Sequence, residues 1–207
     1  MLDSAFDIAG HSISRLELLA FALALAGVAL TARVSVWGWP PTIAASGLYG
    51  WLFYEHRLYG DAVLQAFFIA VSVWGWRAWG DQAHQRPSES EARQSLDPHL
   101  GIRSRAPTSV FKLGLALFAA WLAIGALLAR LTDTDVPWLD AAPTAGSVFA
   151  QVLLARKFLQ AWMLWTGVNA IAIALFITKA LWLTALLYAV LLVLSVAGWR
   201  HWRRLAA

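Results

Sequence analysis

Leu58-Tyr59-Gly60-Asp61-Ala62-Val63-Leu64-Gln65-Ala66-Phe67-Phe68, continued by Ser72-Val73-Trp74-Gly75-Trp76-Arg77-Ala78-Trp79, aligns without a gap on Leu181-Trp182-Leu183-Thr184 through Ser195-Val196-Ala197-Gly198-Trp199-Arg200-His201-Trp202. Leu58 falls on Leu181 and Trp79 on Trp202, so every pair is separated by 123 positions. The same offset carries Trp39 onto Trp162, Leu52-Phe53 onto Leu175-Phe176 and Ala32-Arg33 onto Ala155-Arg156. The duplicated unit therefore runs from about residue 17 to 80 and again from 140 to 203. Two copies of one hydrophobic unit around an insert are the organisation of a membrane transporter whose site lies between the copies.

Composition agrees. The chain is 60% hydrophobic and 14% charged, well short of the roughly one quarter charged that soluble globular chains carry. Several charge-free stretches exceed the ~18 residues that a ~30 Å hydrocarbon layer demands. No cysteine occurs, and the five histidines form no HExxH-like pair, so neither disulfides nor a metal site is indicated. Met1 to Gly10 carries Asp3 and Asp7 and no base. The first apolar run is therefore read as a retained helix rather than a secretory signal.

Runs bounded by charge, proline or Asn/Asp predict helices over about Leu18 to Ala32, Trp39 to Glu55, Asp61 to Trp79, Val110 to Leu128, Ala141 to Leu154, Phe158 to Ile177 and Leu181 to Trp199. The fold class expected is all-α: an integral membrane protein of seven transmembrane helices in a 3+1+3 parallel-repeat arrangement. Residues 1–80 make the first three-helix bundle, 81–106 a cytoplasmic linker, 107–131 a connecting helix, and 132–207 the second bundle. The linker is rich in Ser, Pro, Arg and Glu and has too few apolar residues to build a core. A three-helix unit ends opposite its starting side, and one more crossing returns the chain, so both copies enter from the same face. Counting Lys and Arg by face gives twelve against four, which places the C-terminus in the cytoplasm and the N-terminus outside. The +4 net charge is scattered over short loops, so it is a topology signal and not a nucleic-acid footprint.

Most of the thirteen tryptophans fall near helix ends. Trp37, Trp39, Trp74, Trp76, Trp79, Trp138, Trp182, Trp199 and Trp202 are accordingly expected in the interfacial belt. Trp165 lies well inside its helix, and Asn169 follows it by four residues on the same face. An amide in hydrocarbon needs a partner. An aromatic plate one turn from an amide suits a planar polar ring, although the same spacing suits Asn169 as helix-to-helix glue and Trp165 as bulk. Gln65 is the deepest amide of the first half, with Phe68 three residues on. Tyr49 and Tyr188 add hydroxyls that serve a ligand or interface packing. The expected substrate-binding residues are Gln65, Phe68, Trp165, Asn169, Tyr49 and Tyr188, converging on one cavity.

These blocks resemble the PnuC family, bacterial transporters of nicotinamide riboside and related vitamins with a fold similar to a duplicated SWEET-type transporter. The resemblance lies in Trp37-Gly38-Trp39-Pro40 with Tyr49 and Phe53, in Leu58 to Gln65, in Gly75-Trp76 with Trp79, in Trp162-Met163-Leu164-Trp165-Thr166-Gly167-Val168-Asn169, and in Gly198-Trp199-Arg200-His201-Trp202. Together they cover roughly two thirds of the chain. The resemblance implies that Trp165 with Asn169, and Gln65 with Phe68, belong to a nicotinamide-riboside site. Many relatives are expected to carry tyrosine at the position of Phe68, so thiamine or riboflavin carriage stays open as an alternative. It further implies a small-molecule vitamin substrate and a cytoplasmic kinase as a metabolic partner; a plasma (inner) membrane location and no cofactor are expected as well, with a homo-oligomer as one open state. A non-transporting scaffold is disfavoured by the duplication. No His/Asp/Ser or metal-ligand grouping lies at one membrane depth, so the chain is not read as an enzyme. The helix middles carry no Asp, Glu, Lys or Arg, for example from Ala62 to Trp76 and from Phe158 to Thr178. This pattern predicts facilitated diffusion.

Overall fold

The structure is a computed structural model that describes residues 4–8, 11–55, 59–84, 95–97, 101–104, 107–131, 136–178 and 182–206. Seven α-helices occur among these: α1 (Arg15–Ala32), α2 (Trp39–Glu55), α3 (Tyr59–His84), α4 (Pro107–Leu131), α5 (Pro137–Ala155), α6 (Gln160–Thr178) and α7 (Trp182–Leu205). Two antiparallel hairpins accompany them. One is β1 (Ser4–Ile8) with β2 (His11–Ser14); the other is β3 (Ser95–Asp97) with β4 (Ile102–Arg103), inside the stretch read as a linker. The chain divides into two compact units, Met1–Asp81 and Gln82–Ala207.

The helices are all present, but the expectation of seven membrane crossings is corrected. Among the described residues, five helices are long and apolar enough to cross: Arg15–Ala32, Ala62–Asp81, Ser109–Leu131, Gln160–Thr178 and Ala185–Leu205. α2 has 17 residues, about 25 Å at 1.5 Å per residue and short of the ~30 Å hydrocarbon layer. α5 carries Asp140, Pro143 and Gln151, and buries most of its last three turns, from Ala145 to Ala155, inside the protein. A helix shielded by neighbours need not be as apolar as one that meets lipid. Its composition records that shielding.

Both units repeat one construction in detail. In the first, Trp39 is fully buried, its ring 5.2 Å from that of Trp79 in an edge-to-face contact. In the second, Trp162 is buried against Trp202 at 5.6 Å in the same geometry. Each indole lies on a glycine of the last helix of its unit. A Cβ on Gly75 would stand 2.7 Å from the Trp39 ring, and one on Gly198 would stand 2.7 Å from that of Trp162. Only glycine admits so close an approach. Trp39, Trp79 and Trp202 are thus core residues, not the belt residues expected; Trp37, Trp74, Trp76 and Trp138 are exposed. A helix end inside a bundle offers buried surface as well as an interface, and position along the helix does not distinguish them.

The duplication extends to the backbone. Val34 and Lys157, 123 positions apart, both adopt left-handed conformation, at φ 58° and 56°. Each terminates the helix before it (α1 and α5), and the flanking hydrogen bonds match. Val34 N–H donates to Thr31 C=O and Ser35 N–H to Leu30 C=O; Lys157 N–H donates to Leu154 C=O and Phe158 N–H to Leu153 C=O.

Candidate substrate-binding residues

In the second unit, α6 and α7 pack side by side and bring four aromatic or polar residues together along one stripe. Trp162, Trp165, Asn169 and Phe176 recur at helical spacing on α6. Trp162 anchors one end through Trp202, and Phe176 the other by stacking on Tyr188 of α7, ring centres 5.1 Å apart. Between these anchors Asn169 is 2% exposed and donates through Nδ2 to Ser195 Oγ at 3.0 Å. Ser195 donates in turn to the Leu191 carbonyl at 2.8 Å. Trp165, one turn earlier, is half-buried. The amide is therefore held in a fixed orientation by a buried hydroxyl, and the indole beside it retains open surface.

Ser195 was not singled out in the sequence. The signal was nonetheless there: it repeats Ser72 of the first unit, which is also fully buried. The partner of Ser195, Asn169, repeats as Ser46, 6% exposed. Both positions are buried and polar in both copies, with a serine of the first replaced by an amide in the second.

In the first unit, Gln65 is half-buried on α3 and lies against α2, where a Cβ on Gly50 would stand 3.3 Å from that of Gln65. Next to Gly50, Tyr49 stacks on Phe53 with ring centres 6.0 Å apart. Phe68 is half-buried and tilted against Phe67 at 6.0 Å. The predicted residues thus form two sets, Gln65, Phe68 and Tyr49 in one unit and Trp165, Asn169 and Tyr188 in the other.

A cavity of about 420 Å³ opens within the second unit between α4, α5 and α6, lined among others by Gly114, Phe118, Trp121, Gly146, Met163 and Gly167. None of the predicted site residues lines it. At 100° per residue, Met163, Gly167 and Ile171 face away from Trp165 and Asn169. The cavity is apolar and belongs to the other side of α6. Among the described residues no group of His, Cys, Asp and Glu is placed to hold a metal ion.

Outside the spans, Lys157 is 7% exposed at the α5–α6 turn. Burial first, and then the Arg103 guanidinium, push its ammonium down to about 8.

The arrangement of apolar helices matches known structures. The chain superimposes on the crystal structure described as the "Vitamin B3 transporter PnuC" with a TM-score of 0.71 over 92% of this chain and 81% of that one, at 20% identity. Fold and spans together make this a multi-pass membrane protein, and the family model that follows makes it a transport protein of the plasma membrane. The "Nicotinamide mononucleotide transporter" family model matches residues 14–204, and the chain belongs to that family, which makes it a carrier and not an enzyme. Among relatives, it is 26% identical over 170 residues to the "Nicotinamide riboside transporter PnuC" of Escherichia coli, covering 75% of this chain and 71% of that protein. It is 25% identical over 213 residues to the "Riboflavin/roseoflavin transporter RibM" of Streptomyces davaonensis, covering 96% and 89%. The resemblance read from the tryptophan, glycine and amide blocks agrees with this family.

Proposed function

We propose that the protein carries nicotinamide riboside, an NAD precursor, across the plasma membrane by facilitated diffusion. The observation that carries this reading is Asn169. A buried amide fixed by Ser195, one turn from a half-buried indole, suits a flat ring that bears its own amide. Trp165 would stack on the ring and Asn169 would hydrogen-bond it; Tyr188 of the same unit, and Gln65, Phe68 and Tyr49 of the first unit, are the other residues we propose for substrate binding. Relatives named for nicotinamide riboside support the substrate. Facilitated diffusion is supported by spans whose middles carry no Asp, Glu, Lys or Arg, because proton-driven carriers generally place a titratable group at membrane depth. A cytoplasmic kinase that phosphorylates the arriving nucleoside would keep the gradient inward.

We further propose that the C-terminus is cytoplasmic. α7 ends in Arg200, Arg203 and Arg204, and basic residues mark the cytoplasmic side. The count of Lys and Arg by face, twelve against four, would leave the N-terminus outside.

Riboflavin is the second reading, favoured by the length of the match to the riboflavin carrier and by Phe68, which presents no hydroxyl. Sealed proteoliposomes offered labelled nicotinamide riboside, riboflavin and thiamine in parallel decide among them. Nicotinamide riboside should equilibrate across the membrane and accumulate only when kinase and ATP are enclosed. Preferential riboflavin or thiamine flux overturns the substrate, and concentrative uptake on an imposed proton or sodium gradient overturns the facilitator reading.

A further inference from the structure

α5 carries a polar stripe that the six proposed substrate residues leave unused. Asp140, Thr144, Ser147 and Gln151 follow one another at spacings of four, three and four, which at 100° per residue keeps them within about 60° of one another on one face. Ser147 and Gln151 are 7% and 5% exposed; Asp140 and Thr144, nearer the start of the helix, are half-buried. The first copy has no such stripe. Glu17 repeats as Asp140, but Phe21, Ala24 and Val28 stand where Thr144, Ser147 and Gln151 do. The helix of this repeat packs without a polar face, and polar groups set deep in a membrane protein mark substrate paths.

The stripe shares a side with Trp165 and Asn169. Ala142, Ala145 and Gly146 of α5 and Met163, Gly167 and Ile171 of α6 line the apolar cavity, so the cavity marks one side of the antiparallel α5–α6 pair. The stripe lies on the opposite side of α5, as Trp165 and Asn169 lie on the opposite side of α6. Gly146 stands against Val168. Counting from that contact toward the joining turn puts Ser147 at the depth of Gly167, between Trp165 and Asn169, and Gln151 at the depth of Met163, beside Trp162. Trp162 is 1% exposed, and its indole N–H has no acceptor. Its ring rests on Gly198 through the Cε3 side, which leaves Nε1 on the far side; in the first unit Trp39 rests on Gly75 through the side that carries Nε1.

Thr144 Oγ1 donates to the Asp140 carbonyl at 3.1 Å and Ser147 Oγ to the Thr144 carbonyl at 3.0 Å. Both hydroxyls commit their proton to the backbone and are left as acceptors. Gln151 is engaged within the protein, and an amide with two N–H donors and an acceptor oxygen keeps capacity for a ligand. Uncharged acceptors beside an amide suit a ligand that presents hydroxyl groups. We propose that Ser147 and Gln151 line the substrate path and hydrogen-bond the hydroxyls of the substrate's sugar or sugar-alcohol part, with the Trp162 N–H as a further donor. This rests on the reading of the protein as a vitamin carrier, and the ribose of nicotinamide riboside and the ribityl chain of riboflavin share the chemistry it needs.

The chain has no cysteine, so single introduced thiols report water and ligand directly. Ser147→Cys and Gln151→Cys, and on the cavity side Ala142→Cys and Met163→Cys, are made in the full chain, reconstituted in proteoliposomes and exposed to a charged, membrane-impermeant methanethiosulfonate. The two stripe thiols should react, and nicotinamide riboside or riboflavin at ten times its Kd should slow that reaction about tenfold, as direct competition requires. The two cavity-side thiols should be neither reached nor protected. Gln151→Leu, read by calorimetry, should weaken the protecting ligand about tenfold and leave unchanged the affinity for its analogue stripped of sugar hydroxyls. Ser147→Cys changes one atom, which keeps the test decisive if the Gln151 variants fold poorly. Protection by riboflavin alone supports the path and overturns the nicotinamide riboside reading. Stripe thiols that the reagent does not reach, or that react no more slowly with either ligand present, overturn the proposal. Equal reaction and protection on the cavity side does so too, as does an equal loss of affinity for the ligand and its stripped analogue.

Discussion

Asn169 can be a ligand contact, a clasp between α6 and α7, or both, and two substitutions separate these roles because they leave different atoms behind. In Asn169→Leu, Ser195 keeps its donated bond to the Leu191 carbonyl and loses only an accepted one. No buried donor is orphaned, so the stability cost should be about 1 kcal/mol or less. Ser195→Ala instead strands the Asn169 amide N–H at a site that is 2% exposed, a cost of about 1–3 kcal/mol. Substrate affinity should follow the opposite order. Asn169→Leu leaves a ligand amide buried without its partner, again about 1–3 kcal/mol, which is roughly 5- to 150-fold in Kd. Ser195→Ala keeps the amide and removes only its tether, so the loss should stay under about tenfold. Calorimetric titration of nicotinamide riboside and thermal unfolding in the same detergent measure both quantities. The reasoning predicts a crossing, with Ser195→Ala the less stable variant and Asn169→Leu the weaker binder. If affinity tracks stability through the pair, or if Asn169→Leu binds as tightly as the parent, Asn169 is a clasp and nothing more.

Gly75→Ala and Gly198→Ala should each lower the melting temperature, since the added Cβ would stand 2.7 Å from the Trp39 or Trp162 ring and overpacking of this kind costs about 1–3 kcal/mol. Gly167→Ala, where a Cβ meets nothing within 4 Å, should be silent. Lys157, held down to about 8 by burial and Arg103, binds its proton more weakly folded than unfolded. Stability should therefore rise as pH climbs from about 8 toward the ordinary lysine range near 10.5. Lys157→Val should flatten that rise in melts taken across the window. A cytoplasm-active reporter fused after Ala207 should be bright and a periplasm-active one silent; the reverse would overturn the cytoplasmic C-terminus.

The duplication, the helices and the family were legible in the sequence because each rests on features local to the chain: apolar runs, a constant offset, and tryptophan, glycine and amide blocks. What escaped was decided by neighbours. α3 continues to His84 through Gly80, Asp81 and Gln82, since an apolar run marks where lipid ends and not where hydrogen bonding ends. α5 reads as a span only if its surroundings are taken to be lipid; with Gly146 against Val168 of α6, protein surrounds it. Trp39, Trp79 and Trp202 have interfacial positions along their helices and core positions in space. Val34 and Lys157 gave no warning of left-handed backbone, because neither valine nor lysine favours it.

The repeat also supplies an internal control for separating scaffold from site. Positions that keep their residue or their geometry across the 123-residue offset are those that hold helices together: Trp39 and Trp162, Gly75 and Gly198, Trp79 and Trp202, Ser72 and Ser195, and the left-handed turn. A single packing solution, once found, serves both copies, and selection for stability acts on both alike. A substrate without matching symmetry makes different demands on the two copies. The proposed binding residues fall where the copies differ, with Thr42 opposite Trp165, Ser46 opposite Asn169, Leu191 opposite Phe68, Ala172 opposite Tyr49, and Gln65 opposite Tyr188. Lys157 opposite Val34 belongs to the same class of difference, on a turn whose backbone is otherwise duplicated.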